Sequence, residues 1–306
     1  MQPTRAIVPL LSFVAAATTA LGAQAPTSGD RAGSVVVGGV TRTYVYHVPP
    51  TLGKRVPLIL VFHGHYMTGE QQSKMTHLDP LADRRGFIVV YPNGIRRGWN
   101  DGRRNKGVDD LGFLHALIAT FAQRYPIDRK RIYVTGFSNG ATFSEIVGCT
   151  QADTIAAIAP VSGPLAADML SSCHPQRPIS VLAIEGTADP LVPYGGGQVH
   201  ILGFARGAVL SIRQTIDFWK TNAHCTIGPR ETALPPIPPG DGTRVTRTAF
   251  AGCTDDAAVQ LYTITGGGHA WPQGPQYLPK AVVGIASTQL DADGAIVDFF
   301  YAHPLP

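Results

Sequence analysis

The pattern of hydrophobic and polar residues predicts strands that alternate with helices along most of the chain. Several of the predicted strands are apolar throughout, which is typical of parallel strands covered on both faces. The predicted strands of this alternation lie at 56–64, 86–94, 131–136, 154–163, 178–189 and 259–267. Helices are predicted at 70–85, 111–125, 139–149, 210–222 and 295–301. This alternation predicts an α/β fold with a mostly parallel central sheet and helices on both faces.

Two segments depart from the alternation. Residues 34–48 contain two β-branched and aromatic runs on either side of Gly38-Gly39, a pattern that predicts a hairpin. Residues 228–244, GPRETALPPIPPGDGTR, are rich in proline and glycine, so we predict a surface loop there. The chain has 306 residues and no internal repeat that we can detect, and we expect one domain over 26–306.

The first 25 residues are typical of a secretory signal peptide. Arg5 precedes an apolar run, 7–21, which is followed by small residues. Pro26 would hinder cleavage directly before it, so we expect cleavage near 22–25. A membrane anchor is the alternative, but the apolar run is short for one. We therefore predict a secreted protein, extracellular or periplasmic, without a membrane partner.

Composition and charge narrow the class of protein further. Hydrophobic residues make up 44% of the chain and charged residues 15%, which is typical of a globular protein. The 25 basic and 21 acidic residues give a formal charge of +4, and the basic residues do not gather into a stripe. We therefore do not expect a nucleic-acid partner.

Four cysteines lie in the expected mature chain, and an exported protein with an even number of cysteines is expected to form disulfides. Four cysteines allow three pairings. We favour the sequential one, Cys149 with Cys173 and Cys225 with Cys253. Each bridge would then close a loop of about 25 to 30 residues, worth roughly 3 kcal/mol by the chain-entropy model.

The stretch YVTGFSNGAT, 133–142, places Ser138 between Gly136 and Gly140 where a predicted strand gives way to a predicted helix. Ligands of parallel sheets bind at the carboxyl ends of strands, and G-x-S-x-G at such an end is typical of the nucleophile of a serine hydrolase. A Cβ at either glycine would collide with the neighbouring strand or helix. The alternative is a Gly-Ser turn without chemistry, but the flanking elements favour a nucleophile.

A serine nucleophile needs a base and an orienting carboxylate, which this fold class supplies in the order Ser, Asp, His. His269 follows the last predicted strand, and three glycines before it let its loop bend across the sheet edge. Asp189 ends the strand 178–189. A satisfied loop histidine and an Asp-Pro turn are the alternatives. We predict that Ser138, Asp189 and His269 form a catalytic triad.

Acyl transfer also requires hydrogen-bond donors for the negative oxygen that develops on the substrate. The backbone N–H of Asn139, directly after the nucleophile, is expected to be one donor. The loop after the early strand VPLILVFHG supplies the other, and the N–H of His65 is our choice, because Gly64 allows a close approach.

The chain resembles the extracellular esterases of the polyhydroxybutyrate-depolymerase-like family, which includes feruloyl and acetylxylan esterases. The resemblance rests on GFSNGA, VFHGH, YPNGI, GWNDG, VDDLGFL, EGTADPLVPYGGG and GGGHAWPQG and covers Ser34 to Tyr301. It implies an α/β-hydrolase fold and ester hydrolysis by a triad without metal or cofactor. The family's nucleophile, acid and base correspond to Ser138, Asp189 and His269. The resemblance also implies that Cys225 pairs with Cys253.

The resemblance leaves the substrate open. The family usually has cysteine or another small residue where this chain has His65, so we expect a narrower or more polar entrance. Trp99 and Trp271 are predicted to form walls for an aromatic or furanose ring, with core packing as the alternative. Feruloyl or acetyl esters of plant polysaccharide are the expected substrates. Polyesters such as polyhydroxybutyrate or aromatic polyesters are the alternative.

Two other classes of protein compete with the serine esterase. His63-x-His65 has the spacing of metal ligands at a strand end, but further His and Asp ligands are not evident in the sequence outside the predicted triad, so a metallohydrolase is disfavoured. A non-catalytic glycan-binding module is the second competitor. The intact Ser, Asp and His argue against it.

Overall fold

The computed structural model describes residues 29–103, 107–201 and 203–306. The predicted signal peptide, 1–25, lies outside these residues. Within them the chain forms strands β1 (Gly29–Val37), β2 (Val40–Val48), β3 (Val56–Phe62), β4 (Ile88–Pro92), β5 (Ile127–Phe137), β6 (Ala157–Val161), β7 (Ser180–Gly186), β8 (Gly197–Ile201), β9 (Phe204–Val209), β10 (Ile227–Ala233), β11 (Arg244–Ala251) and β12 (Val259–Thr265). The α-helices are α1 (Gly69–Met75), α2 (Leu78–Arg85), α3 (Asp110–Arg124), α4 (Asn139–Thr150), α5 (Ile212–Asn222), α6 (Lys280–Val283) and α7 (Ala292–Ala302).

A ten-stranded sheet runs through the molecule in the order β1-β2-β4-β3-β5-β6-β7-β12-β11-β10. Within the central block β4-β3-β5-β6-β7-β12, adjacent strands are parallel. The remaining pairs of adjacent strands in the sheet are antiparallel. The carboxyl ends of the central strands therefore meet at one edge. The predicted mostly parallel sheet is confirmed.

Apolar side chains cover both faces of this sheet. Along β3, Leu58 and Leu60 belong to one buried cluster, and Ile59 and Val61 belong to the other. Helices α3, α4 and α5 contribute to the first cluster, and α1, α2 and α7 contribute to the second. Because each face packs against helices, the central strands have no polar face, which explains their continuous apolar sequences.

The predicted helix 70–85 is in fact two helices. Thr76 is extended, with φ −105° and ψ 163°, and it ends α1. The backbone N–H of His77 then donates to Asp293 Oδ2 at 2.9 Å, across from α7. A side chain more than two hundred residues away in sequence satisfies the donor at this break, so local sequence carries no signal for it.

The predicted surface loop 228–244 is partly wrong. Its first residues belong to β10, which pairs antiparallel with β11, and only 234–243 connect the two strands. All seven residues of β10 are exposed, so the strand has no apolar alternation by which it could be recognised. Pro229 is tolerated because β10 lies at the edge of the sheet, beside a register shift. The hairpin β8–β9 was not predicted either.

Other predictions are confirmed. Residues 34–48 lie in the hairpin β1–β2, and Gly38 and Gly39 have positive φ angles of 55° and 79° at its turn. Both disulfides form, Cys149–Cys173 and Cys225–Cys253. None of the helices in the described part of the chain has the length and apolar character needed to span a bilayer.

Candidate active site

Ser138 occupies the turn between β5 and α4 at the carboxyl edge of the sheet. Its φ of 57° and ψ of −116° lie outside the regions that side-chain-bearing residues favour. A Cβ on Gly136 would lie 2.5 Å from Gly140 O, and one on Gly140 would lie 2.1 Å from Phe62 O. The two glycines are thus required by close approach of backbone to backbone, and they permit the tight turn that presents the serine.

Asp189 and His269 meet although they follow different strands, β7 and β12. His269 Nδ1 lies 2.6 Å from Asp189 Oδ2, and the side chains are only 3% and 2% exposed. The other oxygen of Asp189 accepts the backbone N–H groups of Leu191 and Val192, each at 2.8 Å. The carboxylate is therefore fixed from two sides, and it orients the imidazole.

The loop that carries His269 is held by backbone contacts. Its N–H donates to Val283 O at 2.6 Å, and Tyr277 donates its hydroxyl to His269 O at 3.1 Å. A Cβ on Gly268 would lie 2.2 Å from Val283 O, so the glycine allows the two segments to touch. These contacts set the position of the imidazole relative to the sheet edge.

Ser138 and His269, both among the described residues, line one cleft. No hydrogen bond joins their side chains. Hydrogen bonds between a nucleophile and its base are often long in free enzymes and shorten only with substrate bound. The structure therefore brings the three predicted triad residues to one edge, with the Asp–His pair already formed.

The two predicted oxyanion donors also lie at this edge. Asn139 is the first residue of α4, where backbone N–H groups have no partner within the helix. His65 lines the cleft together with Gly64. The imidazole of His65 packs against Gly98, where a Cβ would lie 2.6 Å from its Nδ1, and against the ring of Tyr66 at 4.1 Å between centroids.

The cleft has a volume of about 490 Å³ and a largely apolar lining. This volume lies within the range of pockets that bind small organic molecules. Beside the site residues the lining consists of Tyr66, Met67, Gln71, Lys74, Met75, Phe137, Leu191, Ile201, Pro275, Tyr277, Leu278 and Val282. Lys74 is paired with Glu70 at 2.6 Å, so the cleft carries little uncompensated charge.

The predicted walls of the substrate site, Trp99 and Trp271, lie elsewhere. Trp99 is 0% exposed and stacks on Phe143, and its indole N–H donates to His63 O at 2.9 Å. Trp271 is 1% exposed and donates to Asp293 Oδ1 at 3.2 Å. Neither is among the described residues that line the cleft. Core packing, the alternative to a substrate wall, therefore describes both side chains. Each tryptophan is close to a site residue in sequence, but its side chain does not face the cleft.

His63 has a structural role rather than that of a metal ligand. Its Nε2 accepts the N–H of Gly94 at 2.9 Å, so Nδ1 carries the proton and donates to Gly64 O at 2.8 Å. Burial lowers the pKa of His63 to about 4, so the ring is neutral at physiological pH. Among the described residues, side chains with metal-ligand spacing gather only at Asp30, His47 and Asp79, a group that includes neither His63 nor His65.

Several residues around the site were not predicted from the sequence. Asp101 and the side chain of Asn139 hydrogen-bond to each other, and the apolar lining of Met67, Met75 and Tyr277 was not recognised. The motif GWNDG contains Asp101, so the motif itself is the sequence signal for this residue. The lining residues carry no local signal because they come from α1 and from the segment after β12.

Comparison with known proteins identifies the family of this chain. The family model "Esterase PHB depolymerase" matches residues 42–190. A protein named "Putative esterase NocK" from Nocardia uniformis subsp. tsuyamanensis is 32% identical over 280 residues, covering 87% of this chain and 80% of NocK. The chain belongs to the polyhydroxybutyrate-depolymerase-like esterase family. It is therefore a carboxylic ester hydrolase.

A further relative and a solved structure are also similar to this esterase. Feruloyl esterase B of Piromyces equi is 30% identical over 223 residues, covering 71% of this chain and 40% of that protein. The acetyl xylan esterase of Aspergillus awamori has a TM-score of 0.59 at 15% sequence identity, covering 89% of this chain and 99% of that chain. The structural likeness shows that the esterase has the α/β-hydrolase fold, as the family resemblance implied.

Proposed function

We propose that this protein is a secreted serine esterase that cleaves feruloyl-type esters of plant polysaccharide through an acyl-serine intermediate. The observation that carries the proposal is the placement of Ser138, in a strained turn, and the paired His269 and Asp189 around one apolar cleft. Burial of the Asp–His pair keeps water from competing for its hydrogen bond.

The proposed reaction assigns one step to each group. His269 Nδ1 is engaged by Asp189, which leaves Nε2 to accept the proton of the Ser138 hydroxyl as the oxygen attacks the ester carbonyl. The backbone amides of Asn139 and His65 stabilise the negative oxygen of the tetrahedral intermediate. The imidazolium then protonates the leaving alcohol, and water repeats the sequence to release the acid. No metal or cofactor enters this scheme.

Cleft size favours a feruloyl over an acetyl group. A volume of about 490 Å³ exceeds what an acetyl group needs, whereas an aromatic acyl chain would contact Met67, Met75 and Tyr277. The relative named as a feruloyl esterase supports the same assignment. The two disulfides suit an oxidising compartment, which is consistent with export through the predicted signal peptide 1–25.

A polyester is the second candidate substrate, because exposed apolar side chains surround the mouth of the cleft. Tyr66 is 46% exposed, Leu278 44% and Val282 42%. Such a rim would contact the flat apolar surface of a polymer, and a soluble sugar ester does not require it.

A substrate panel separates these candidates. Rates on methyl ferulate, acetylated xylan, hydroxybutyrate oligomers and aromatic polyester fragments are measured, and we expect kcat/KM to be highest for methyl ferulate. Ser138→Ala should lower turnover by roughly 10³ or more, and a serine-directed phosphonate should label Ser138 in the wild type. A chelator should leave the rate unchanged.

The control variant is Ser172→Ala, which removes an exposed hydroxyl that donates to Met169 O at 3.2 Å. It should retain the wild-type rate. Equal rates for the wild type and Ser138→Ala would contradict the proposed mechanism and favour the glycan-binding module. Faster cleavage of polyester fragments would favour the second candidate.

A further inference from the structure

The segment 94–101, GIRRGWND, follows β4 and runs between the two places from which the oxyanion donors come. One is the turn 63–66 after β3, which contains His65. The other is Asn139 at the start of α4. The segment contacts both, and none of these contacts involves the proposed triad.

Three hydrogen bonds join the segment to the turn 63–66. The N–H of Gly94 donates to His63 Nε2 at 2.9 Å, and the indole N–H of Trp99 donates to His63 O at 2.9 Å. The N–H of Tyr66 donates to Arg97 O at 2.8 Å. His65 lies between the two anchored residues, so its backbone amide is held from both sides.

The side chain of Asn139 joins the segment to the second donor. Its Oδ1 accepts the N–H of Trp99 at 2.7 Å, and its Nδ2 donates to Trp99 O at 3.3 Å and to the carboxylate of Asp101. Asp101 is itself paired with Arg103, and both side chains are nearly buried. The side-chain amide of Asn139 therefore pairs with both the N–H and the C=O of Trp99, as the backbone of a neighbouring strand does.

Gly98 lies where the two links meet. A Cβ at this position would be 2.6 Å from His65 Nδ1 and 3.2 Å from Asn139 Oδ1. Its φ of −167° is ordinary extended backbone, so the need for glycine is one of space. A larger residue would displace the imidazole of His65 and the side-chain amide of Asn139.

We propose that the segment 94–101 is a positioning element that sets the spacing of the two oxyanion donors, with the Asn139 side chain as its principal link. Both amides must lie about 2.7–3.1 Å from a single oxygen, and a displacement of about 1 Å can cost on the order of 100-fold in rate. The inference rests on the proposed function, because it requires the amides of His65 and Asn139 to act as donors.

The variant Asn139→Ala tests this link while leaving the backbone amide in place. We expect kcat on methyl ferulate to fall about 10- to 100-fold with KM within about threefold. A boronic acid that forms a tetrahedral adduct with Ser138 should bind more weakly by a similar factor. An uncleaved amide analogue of the substrate, which forms no such adduct, should bind within about threefold of the wild type.

Asn222→Ala is the matched control, since it removes a side-chain amide that donates to Phe218 O at 3.0 Å at the end of α5. It should leave kcat and boronate affinity unchanged. Trp99→Phe provides a second test, which carries the proposal if Asn139→Ala does not fold. It keeps an aromatic ring beside Phe143 and removes the N–H that donates to His63 O. We expect both kcat and boronate affinity to fall, as they should in Asn139→Ala.

Two outcomes would overturn the inference. The first is that folded Asn139→Ala and Trp99→Phe retain wild-type boronate affinity and kcat. The second is that the boronate and the amide analogue lose affinity equally, which would mean that the segment only shapes the cleft. Both outcomes leave the proposed function standing as long as Ser138→Ala is inactive and Ser138 is labelled by the phosphonate. Failure of that labelling would reject the proposed function itself.

Discussion

Asp189 and Glu145 are buried carboxyl groups in two regions of the molecule with different surroundings. Asp189, at the carboxyl edge of the sheet, accepts two backbone N–H groups and the imidazole of His269. Glu145, in α4, accepts the indole N–H of Trp219 at 2.5 Å. Its Oε1 is buried without a partner among the described residues. Asp189 therefore has three hydrogen-bond donors, and Glu145 has one donor among the described residues and a buried oxygen, an arrangement that disfavours the charged form of Glu145.

The pKa of Glu145 reflects this difference. Burial raises its pKa to about 8, and the hydrogen bond from Trp219 only partly opposes the rise. Glu185 in β7 behaves similarly, since burial raises its pKa well above the usual value although Gly163 donates its N–H at 3.1 Å. The number of hydrogen-bond donors, rather than the depth of burial alone, separates the two regions. The carboxyl group with three donors is the one that is proposed to orient the base.

The largest expected effect comes from removing the charge of Asp189. Asp189→Asn keeps the shape of the side chain but offers His269 Nδ1 an altered partner and favours the wrong tautomer. We expect kcat on methyl ferulate to fall by roughly 10³ to 10⁴ without a change in fold. Steady-state kinetics and circular dichroism measure both quantities.

Asp217→Asn is the matched control for that substitution. Asp217 is a half-exposed residue of α5, paired with Lys220 at 2.7 Å, and its loss should leave kcat unchanged. If Asp189→Asn retained more than a tenth of the activity, the contrast between the two buried regions would lose its functional meaning.

A smaller effect, on stability, is expected from Glu145→Gln. With a folded pKa of about 8 and an ordinary pKa of 4.5 after unfolding, Glu145 binds more protons in the folded state between these values. The wild-type free energy of unfolding should therefore fall as pH rises from 4.5 to 8. Glu145→Gln should remove this slope and gain about 4 kcal/mol over the wild type at pH 8, with little difference near pH 4.5. Urea denaturation across this pH range measures it.

Glu70→Gln provides the matched comparison on the surface. A hydrogen bond from Lys74 lowers the pKa of Glu70, so this carboxyl group is ionised in both states above pH 5, and its replacement should leave the pH slope unchanged. A Glu145→Gln variant with the wild-type slope would mean that Glu145 is charged in the folded protein. The kcat of Glu145→Gln should remain normal, because the residue is outside the proposed triad and does not line the cleft.

The smallest expected effect is the coupling between Glu145 and Glu185. Charge on Glu145 contributes to the raised pKa of Glu185, so the benefit of Glu185→Gln at pH 8 should shrink when Glu145 is already glutamine. A double-mutant cycle should give an interaction of about 0.5 to 1 kcal/mol. Additive effects would show that the two carboxyl groups titrate independently.

Local sequence predicted the features that depend on interactions between residues close in sequence. The apolar runs of the central strands, the turn at Gly38-Gly39 and the tight turn at Ser138 all follow from the sizes and conformational limits of neighbouring residues. Strand β10 escaped prediction because an exposed edge strand has no apolar pattern. The break between α1 and α2 escaped because Asp293 satisfies the backbone there.

The amino-acid sequence by itself predicted the fold class and the candidate triad, because periodicity, glycine spacing and motif order are local quantities. The family and the Cys225–Cys253 pair were implied by the resemblance of its motifs, and the sequential pairing of all four cysteines was favoured among three. Only the tertiary structure decided that Trp99 and Trp271 pack inside, that α1 and the segment after β12 enclose the cleft, and that one loop joins both proposed oxyanion donors. The direction of a buried side chain depends on the atoms that surround it, and those atoms come from parts of the chain that are distant in sequence.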